Sequence, residues 1–168
     1  GVVVAVAGPL TAFNSCSQMD VPPELEGYLC HLRLTPPAGR ALEVLGLYMP
    51  TDDGEIRARM AEHMCAVKRR CEQKGTTLLL GGDWNGTLRT ADRSSKEEGQ
   101  CDREHRALVE TLDLVPVGGL PTNPDEPREY TFRQHTAGGR AAPVQARLDD
   151  ILVVRSTLPA TQAGRWAA

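Results

Sequence analysis

The stretch Leu78-Leu79-Leu80-Gly81-Gly82-Asp83-Trp84-Asn85 decides the reading of this chain. Three leucines make an apolar run suited to a buried strand, two glycines end it, and a carboxylate and an amide follow with one residue between them. Residues two apart on an extended chain face the same side. Asp83 and Asn85 are therefore expected to project together from the carboxyl end of a core strand, where open sheets often place their chemistry. The glycines let the backbone turn without a Cβ penalty and leave room for a ligand. A βα loop closed by an Asx turn explains the same residues, and the motif alone does not separate the two readings.

Upstream of this strand, Ile56, Met60, Met64, Val67 and Cys71 recur at helical spacing as far as about Gln73. Thr51-Asp52-Asp53-Gly54-Glu55 supplies N-cap candidates and a first-turn acid, and Gly75 a stop. Arg57, Arg59, Lys68, Arg69 and Arg70 fall largely off the stripe and read as a solvated face. Earlier still, 28–34 and 41–48 flank Pro36-Pro37-Ala38-Gly39, which predicts an antiparallel hairpin that Met49-Pro50 stops. Gly1 to Val6 reads as a buried strand, and Pro9 to Pro23 as a turn-rich stretch without period.

Downstream, Arg89 to Gln100 reads as a polar loop and Asp102 to Leu114 as a second helix, broken by Val115-Pro116-Val117-Gly118-Gly119. A proline-rich loop from Pro121 to Arg128, a short strand at Tyr130-Thr131-Phe132, a turn at Gly138-Gly139 and a strand from Ala146 to Val154 follow. Thr157 to Ala168 shows no pattern, and no repeat or linker interrupts the chain.

Size and composition set limits. A chain of 168 residues suits one domain, and one of that size buries roughly 70% of its unfolded surface. No apolar run approaches the ~20 residues of a membrane span. The start lacks an initiator Met and a basic n-region, so no secretory signal is expected there and Gly1 to Val6 reads as a strand cut into mid-fold. Five cysteines, an odd number without C-x-x-C spacing, argue against zinc and a disulfide framework; they read as small buried hydrophobes in a reducing compartment. A net charge of −3 gives no support for nonspecific nucleic-acid binding.

Four short stretches fall in one order, each at a strand end: Leu47-Tyr48-Met49-Pro50, Gly81-Gly82-Asp83-Trp84-Asn85, Tyr130-Thr131-Phe132 and Arg147-Leu148-Asp149-Asp150-Ile151. Together they resemble the endonuclease/exonuclease/phosphatase superfamily, and most of all the endonuclease domain of non-LTR retrotransposons. The resemblance covers roughly residues 1 to 155. It implies an α/β (α+β) fold, a two-sheet, four-layer sandwich incomplete at both ends, that hydrolyses phosphodiesters with Mg²⁺ or Mn²⁺.

By that resemblance, Asp83 would orient or deprotonate the attacking water, and Asn85 would donate to a phosphoryl oxygen. Asp83 and Asn85 would also serve the metal shell. Tyr48 would set its phenol against the phosphate, and Asp149 would orient a catalytic His. Arg128, Phe132 and Arg147 are candidate substrate contacts. Plainer roles stand beside these: Tyr48 as a strand cap before Pro50, Asp149 as a carboxylate paired with Arg147, and Tyr130 and Phe132 as core. His31, His63, His105 and His135 lie in no Ser-Asp-His context and read as structural or surface residues.

The family pattern also carries an early Asn and a metal-site Glu that would precede Gly1, and a Ser-Asp-His that would follow the Asp149 strand. The expectation is a chain nearly inactive and marginally folded in isolation. The resemblance further implies DNA as partner, a fused reverse transcriptase, no membrane association, and an intracellular, nuclear setting. A noncatalytic binding relative and a phosphoesterase acting on a phospholipid or inositol phosphate remain open as alternatives.

Overall fold

The computed structural model describes residues 2–4, 13–95, 97–117, 125, 129–133 and 145–158. The chain is an α/β protein. Its order is β1 (Ser15–Gln18), β2 (Leu29–Thr35), β3 (Leu42–Tyr48), α1 (Gly54–Lys74), β4 (Thr77–Asp83), α2 (Gln100–Leu112), β5 (Leu114–Pro116), β6 (Phe132–Arg133), β7 (Gln145–Ala146) and β8 (Asp149–Val154). Six strands form one mixed sheet in the order β1-β2-β3-β4-β8-β5, and β6 pairs with β7 in a separate two-stranded sheet.

The predicted hairpin forms, with Leu29 opposite Leu47 and Leu34 opposite Leu42. From β3 the chain crosses through α1 to the parallel strand β4, the connection a parallel pair requires. Asp53 caps α1 by accepting from the Ile56 N–H at 3.0 Å, and Gly75 closes it in the left-handed region at φ 60°. The helix stripe does what its period predicts. Met60, Met64, Val67 and Cys71 are buried against Leu45, Leu47, Leu78, Leu80, Leu152 and Val154 of the sheet, and Leu108 and Leu112 of α2 join the same core. Each fully buried leucine contributes about 1.5–3 kcal/mol.

Several expectations are corrected. Arg57 does not lie on a solvated face: it is 9% exposed and bound at every turn of its guanidinium. Arg70 likewise reaches the fully buried Glu43 at 2.9 Å. Val115-Pro116 is not merely a break. It forms the edge strand β5, paired with β8, where the missing proline N–H leaves no gap in an inner ladder. Ser15–Gln18 is a strand despite its exposed, polar sequence, because Leu32 to Thr35 offers it a free edge.

The predicted 146–154 strand is broken at Arg147-Leu148 into β7 and β8. Val2 to Val4 carry no strand, and the side chains of Val2 and Val4 lie over Gly46. The other residues of that predicted strand, Gly1, Ala5 and Val6, lie outside the described residues, as do Pro121–Pro124, Glu126–Arg128, Gly138-Gly139 and His135. All five cysteines are free as expected, yet only Cys71 is buried. Burial beside Glu43 pushes its thiol up to about 12.

Candidate active site at the strand ends

Strand register assembles the site. Tyr48, the last residue of β3, stands opposite Asp83, the last residue of β4. Asp83 in turn stands opposite Asp149, the first residue of β8. A phenol and two carboxylates from three separate motifs therefore share one row across the sheet. The sequence placed each at a strand end; only the register makes them neighbours.

The backbone of β4 is shaped for this ending. Gly82 has φ 144°, and a Cβ there would run into the Leu47 carbonyl of the neighbouring strand. No L side chain fits such a conformation without strain. Beyond Asp83 the extended alternation stops. Trp84 turns into the core, 1% exposed, and donates from Nε1 to the Asp150 carbonyl at 3.3 Å. Asn85 enters the left-handed region at φ 49°, a conformation that Asn tolerates better than most residues. Its backbone N–H donates to Asp83 Oδ1 at 2.9 Å, so the Asx turn is present. The turn and the row coexist, because the turn occupies one oxygen of Asp83.

Asn85 is held at its other end as well. Its Nδ2 donates to the Met49 carbonyl at 2.7 Å, which ties the loop after β4 to the loop after β3. Met49 N–H donates back to the Asp83 carbonyl at 2.8 Å. Tyr48 is 42% exposed, and its ring stacks on Tyr28 at a centroid distance of 6.4 Å. Asp149 is exposed, and its backbone N–H donates to Thr131 Oγ1 at 3.0 Å, as does that of Leu148. Thr131 is thus the member of the Tyr-Thr-Phe stretch that positions the row.

Electrostatically the row is unusual for what it lacks. Burial holds the Asp83 carboxyl above the usual Asp range; the Asn85 N–H opposes this, and the nearby Asp149 charge reinforces it. No Lys or Arg among the described residues forms an ion pair with Asp83 or Asp149. Arg147 does not pair with Asp149: its guanidinium reaches Asp150 at 3.4 Å and the Glu129 carbonyl at 3.2 Å. Phe132 is 42% exposed rather than core. Arg128 lies outside the described residues.

The first turns of α2 back both loops, a support the sequence did not disclose. Asp102, 1% exposed, accepts from Thr87 N at 2.7 Å, Thr87 Oγ1 at 3.0 Å, Arg93 at 2.9 Å and Gly99 N at 2.7 Å. Burial alone would raise its pKa, but these donors outweigh it and hold the carboxyl low. His105 stacks on Trp84 at 4.5 Å and engages the Gly86 carbonyl through Nδ1 at 2.8 Å. Glu104 binds Arg57, which in turn binds the loop after β3.

As oxygen donors for a hard cation, the row offers the carboxylates of Asp83 and Asp149 and the amide of Asn85. Among the described residues no group of three or more His, Cys, Asp or Glu is placed to hold a metal ion. This donor set falls short of an ion cage.

Comparison with known proteins bears on the fold. Over 80% of its length the chain superposes on the 3'-5' exonuclease NExo from Neisseria meningitidis, with a TM-score of 0.51 at 18% identity, covering 54% of that chain. The two share a fold. In sequence, the chain is 32% identical over 114 residues to the Xenopus laevis "Transposon TX1 uncharacterized 149 kDa protein", a match spanning 66% of this chain and 8% of that protein. It is also 30% identical over 86 residues to a Pseudomonas putida 6-deoxy-6-sulfogluconolactonase, spanning 51% of this chain and 30% of the enzyme. No family model matches the chain. No helix among the described residues is long and apolar enough to cross a membrane.

Proposed function

We propose that these residues form the catalytic core of a phosphodiester hydrolase of the endonuclease/exonuclease/phosphatase type, nicking DNA as a mobile-element endonuclease. The observation that carries this reading is the row Tyr48–Asp83–Asp149, with Asn85 fixed beside it. The fold shared with an exonuclease and the identity with a transposon protein support it.

The chemistry asks for a base near the phosphate and neutral donors around it. Asp83 holds the attacking water and takes its proton; a carboxyl raised by burial and by Asp149 is a better base than an ordinary Asp. Tyr48 presents its phenol from the neighbouring strand, and Asn85 carries the second neutral donor. Asp149, exposed and unpaired by any described cation, is placed to orient an imidazole or to keep Asp83 basic. Mg²⁺ or Mn²⁺, when bound, would supply charge to stabilise the phosphoryl oxygens. The described donors do not complete its shell. A fused reverse transcriptase and a nuclear setting belong to the same reading.

Plasmid nicking by the full-length protein tests it, with Mg²⁺ and with chelator. The expected result is nicking that chelator removes and that Asp83→Asn lowers by at least about 100-fold. Robust nicking that survives Asp83→Asn would sink the assignment. The shortfall of metal donors among the described residues favours one second reading, a noncatalytic binding relative. It predicts DNA binding unchanged by Asp83→Asn and no nicking under any metal.

A further inference from the structure

We propose that Arg57 is a positioning residue for the row, acting through the loop between β3 and α1; this rests on the reading of the row as a hydrolytic site. Arg57 was expected in solvent, yet it is 9% exposed. Its guanidinium is divided between two tasks. Nε and Nη2 grip the Glu104 carboxylate of α2 at 2.5 and 3.3 Å. Nη1 donates to the carbonyls of Pro50 and Thr51 at 3.1 and 2.9 Å.

A helix-to-helix ion pair would need only the first task. The second anchors the chain immediately after Tyr48 and Met49. Met49 is the residue whose carbonyl holds the Asn85 amide and whose N–H holds the Asp83 carbonyl. The path is short: Glu104 fixes Arg57, Arg57 fixes Pro50 and Thr51, and these fix the strand end that carries Tyr48 and steadies Asn85. A planar fork of five donors makes all four of these contacts at once, whereas a lysine ammonium, with three donors on one nitrogen, cannot add a bidentate grip on the carboxylate to the two carbonyls. Remote misplacement by about 1 Å can lower a rate about 100-fold.

Arg57→Met and Arg57→Lys are compared with Asp83→Asn and with the control Arg59→Met, whose side chain pairs on the surface with Glu55 and Glu24. Rates are measured on the full-length protein where circular dichroism shows each variant fully folded. We expect Arg57→Met to lower kcat about 10- to 100-fold with KM little changed. Lys should restore folding stability more than kcat, and Arg59→Met should match the parent.

An NMR readout of the Asn85 side-chain amide, independent of catalysis, should show faster hydrogen exchange in Arg57→Met. If Arg57→Met does not fold, Glu104→Gln takes its place, with a smaller loss of kcat and the same faster Asn85 exchange. A folded Arg57 variant with parental kcat and parental Asn85 exchange overturns the positioning role while leaving an Asp83→Asn loss intact. Activity that survives Asp83→Asn overturns the reading of the row instead, and Asn85 exchange still decides whether Arg57 holds that loop.

Discussion

Two carboxylates of one sheet, fully buried Glu43 and half-buried Asp83, have opposite surroundings, although the same β3 strand serves both. Glu43, fully buried on β3, is surrounded by donors: the guanidinium groups of Arg33 and Arg70, each at 2.9 Å, and His31 Nε2 at 3.0 Å. Burial would raise its pKa, but the Arg70 bond and charge, with Cys71 and His31, outweigh it and hold the carboxyl low. Asp83, opposite the end of β3, has one N–H donor and a second carboxylate for company, and its pKa is held high. The first arrangement is what packing demands of a buried charge. The second leaves charge unsatisfied in a half-buried place, which stability alone does not favour and catalysis uses.

The sharpest break of this contrast is Glu43→Ala, which would strand two guanidinium groups against a cavity. A loss of about 3–5 kcal/mol is expected, read as a drop in denaturant midpoint. His31 strengthens the case. Burial, aided by Arg70, holds its pKa below the ordinary value despite Glu43, and its Nδ1 has no hydrogen-bond partner. The ring is therefore neutral, with the Nε2 proton donated to Glu43 and the Nδ1 lone pair left in the core. An unfolded His takes up a proton more readily than this one. Stability should then fall as pH drops below about 6.5, the unfolded His value, and the low pKa of Glu43 and of Asp102 should extend the loss further into acid.

Asp83→Asn is the mirror experiment. Activity should fall about 100-fold or more, in contrast to Glu43, while stability rises. The sign follows from the raised pKa. Folded Asp83 binds its proton more tightly than an unfolded Asp, so the folded state loses stability as pH climbs from the unfolded value through the folded one. Above that window the penalty is complete, and the neutral amide removes it. The gain should be present at neutral pH and vanish in acid, where Asp83 is protonated in both states. A variant that is inactive and no more stable at neutral pH would remove the distinction between the two carboxylates.

A smaller effect is expected from Gly82→Ala. The φ of 144° and the facing Leu47 carbonyl predict a loss of about 1–3 kcal/mol, with activity falling beyond the folded fraction because Asp83 is the next residue. Gly46→Ala tests the specificity of this: there the obstacle is the side chains of Val2 and Val4 rather than a backbone carbonyl, and no positive φ is involved.

The contrast also marks what sequence can carry. The helix stripe, its two caps and the hairpin are local patterns that read correctly; the strand expected from Thr76 to Leu80 forms too, but β4 runs on through both glycines to Asp83. The three strand ends of the row were named one by one, yet their adjacency is a matter of register between distant segments. Buried ions were invisible for the same reason: Glu43, Asp102 and Arg57 look like any surface charge until His31, Thr87 and Glu104 arrive from 12, 15 and 47 positions away. One signal was there to be used. Arg57, Met60, Met64, Val67 and Cys71 follow one three-and-four spacing, so the arginine continues the apolar stripe. β5 and β1 were missed because three residues with a proline, and four exposed polar ones, have no period to show.

The finest probe of the row is Tyr48→Phe. The two readings of Tyr48, strand cap or phosphate-facing phenol, share the ring and differ in one hydroxyl. Phe keeps the stack on Tyr28 and the backbone bond from Tyr48 N–H to the Tyr28 carbonyl at 2.9 Å. With 42% of the residue exposed, the hydroxyl has water available, and its removal should shift stability by less than about 0.5 kcal/mol. As a cap, Tyr48 would then be replaced without consequence. As a donor to the phosphoryl oxygen it would be missed in the transition state alone, lowering kcat about tenfold with KM little changed, or about 1.4 kcal/mol. Equal kcat in Tyr48→Phe and the parent would reduce the row to its two carboxylates and Asn85, and return the phenol to packing.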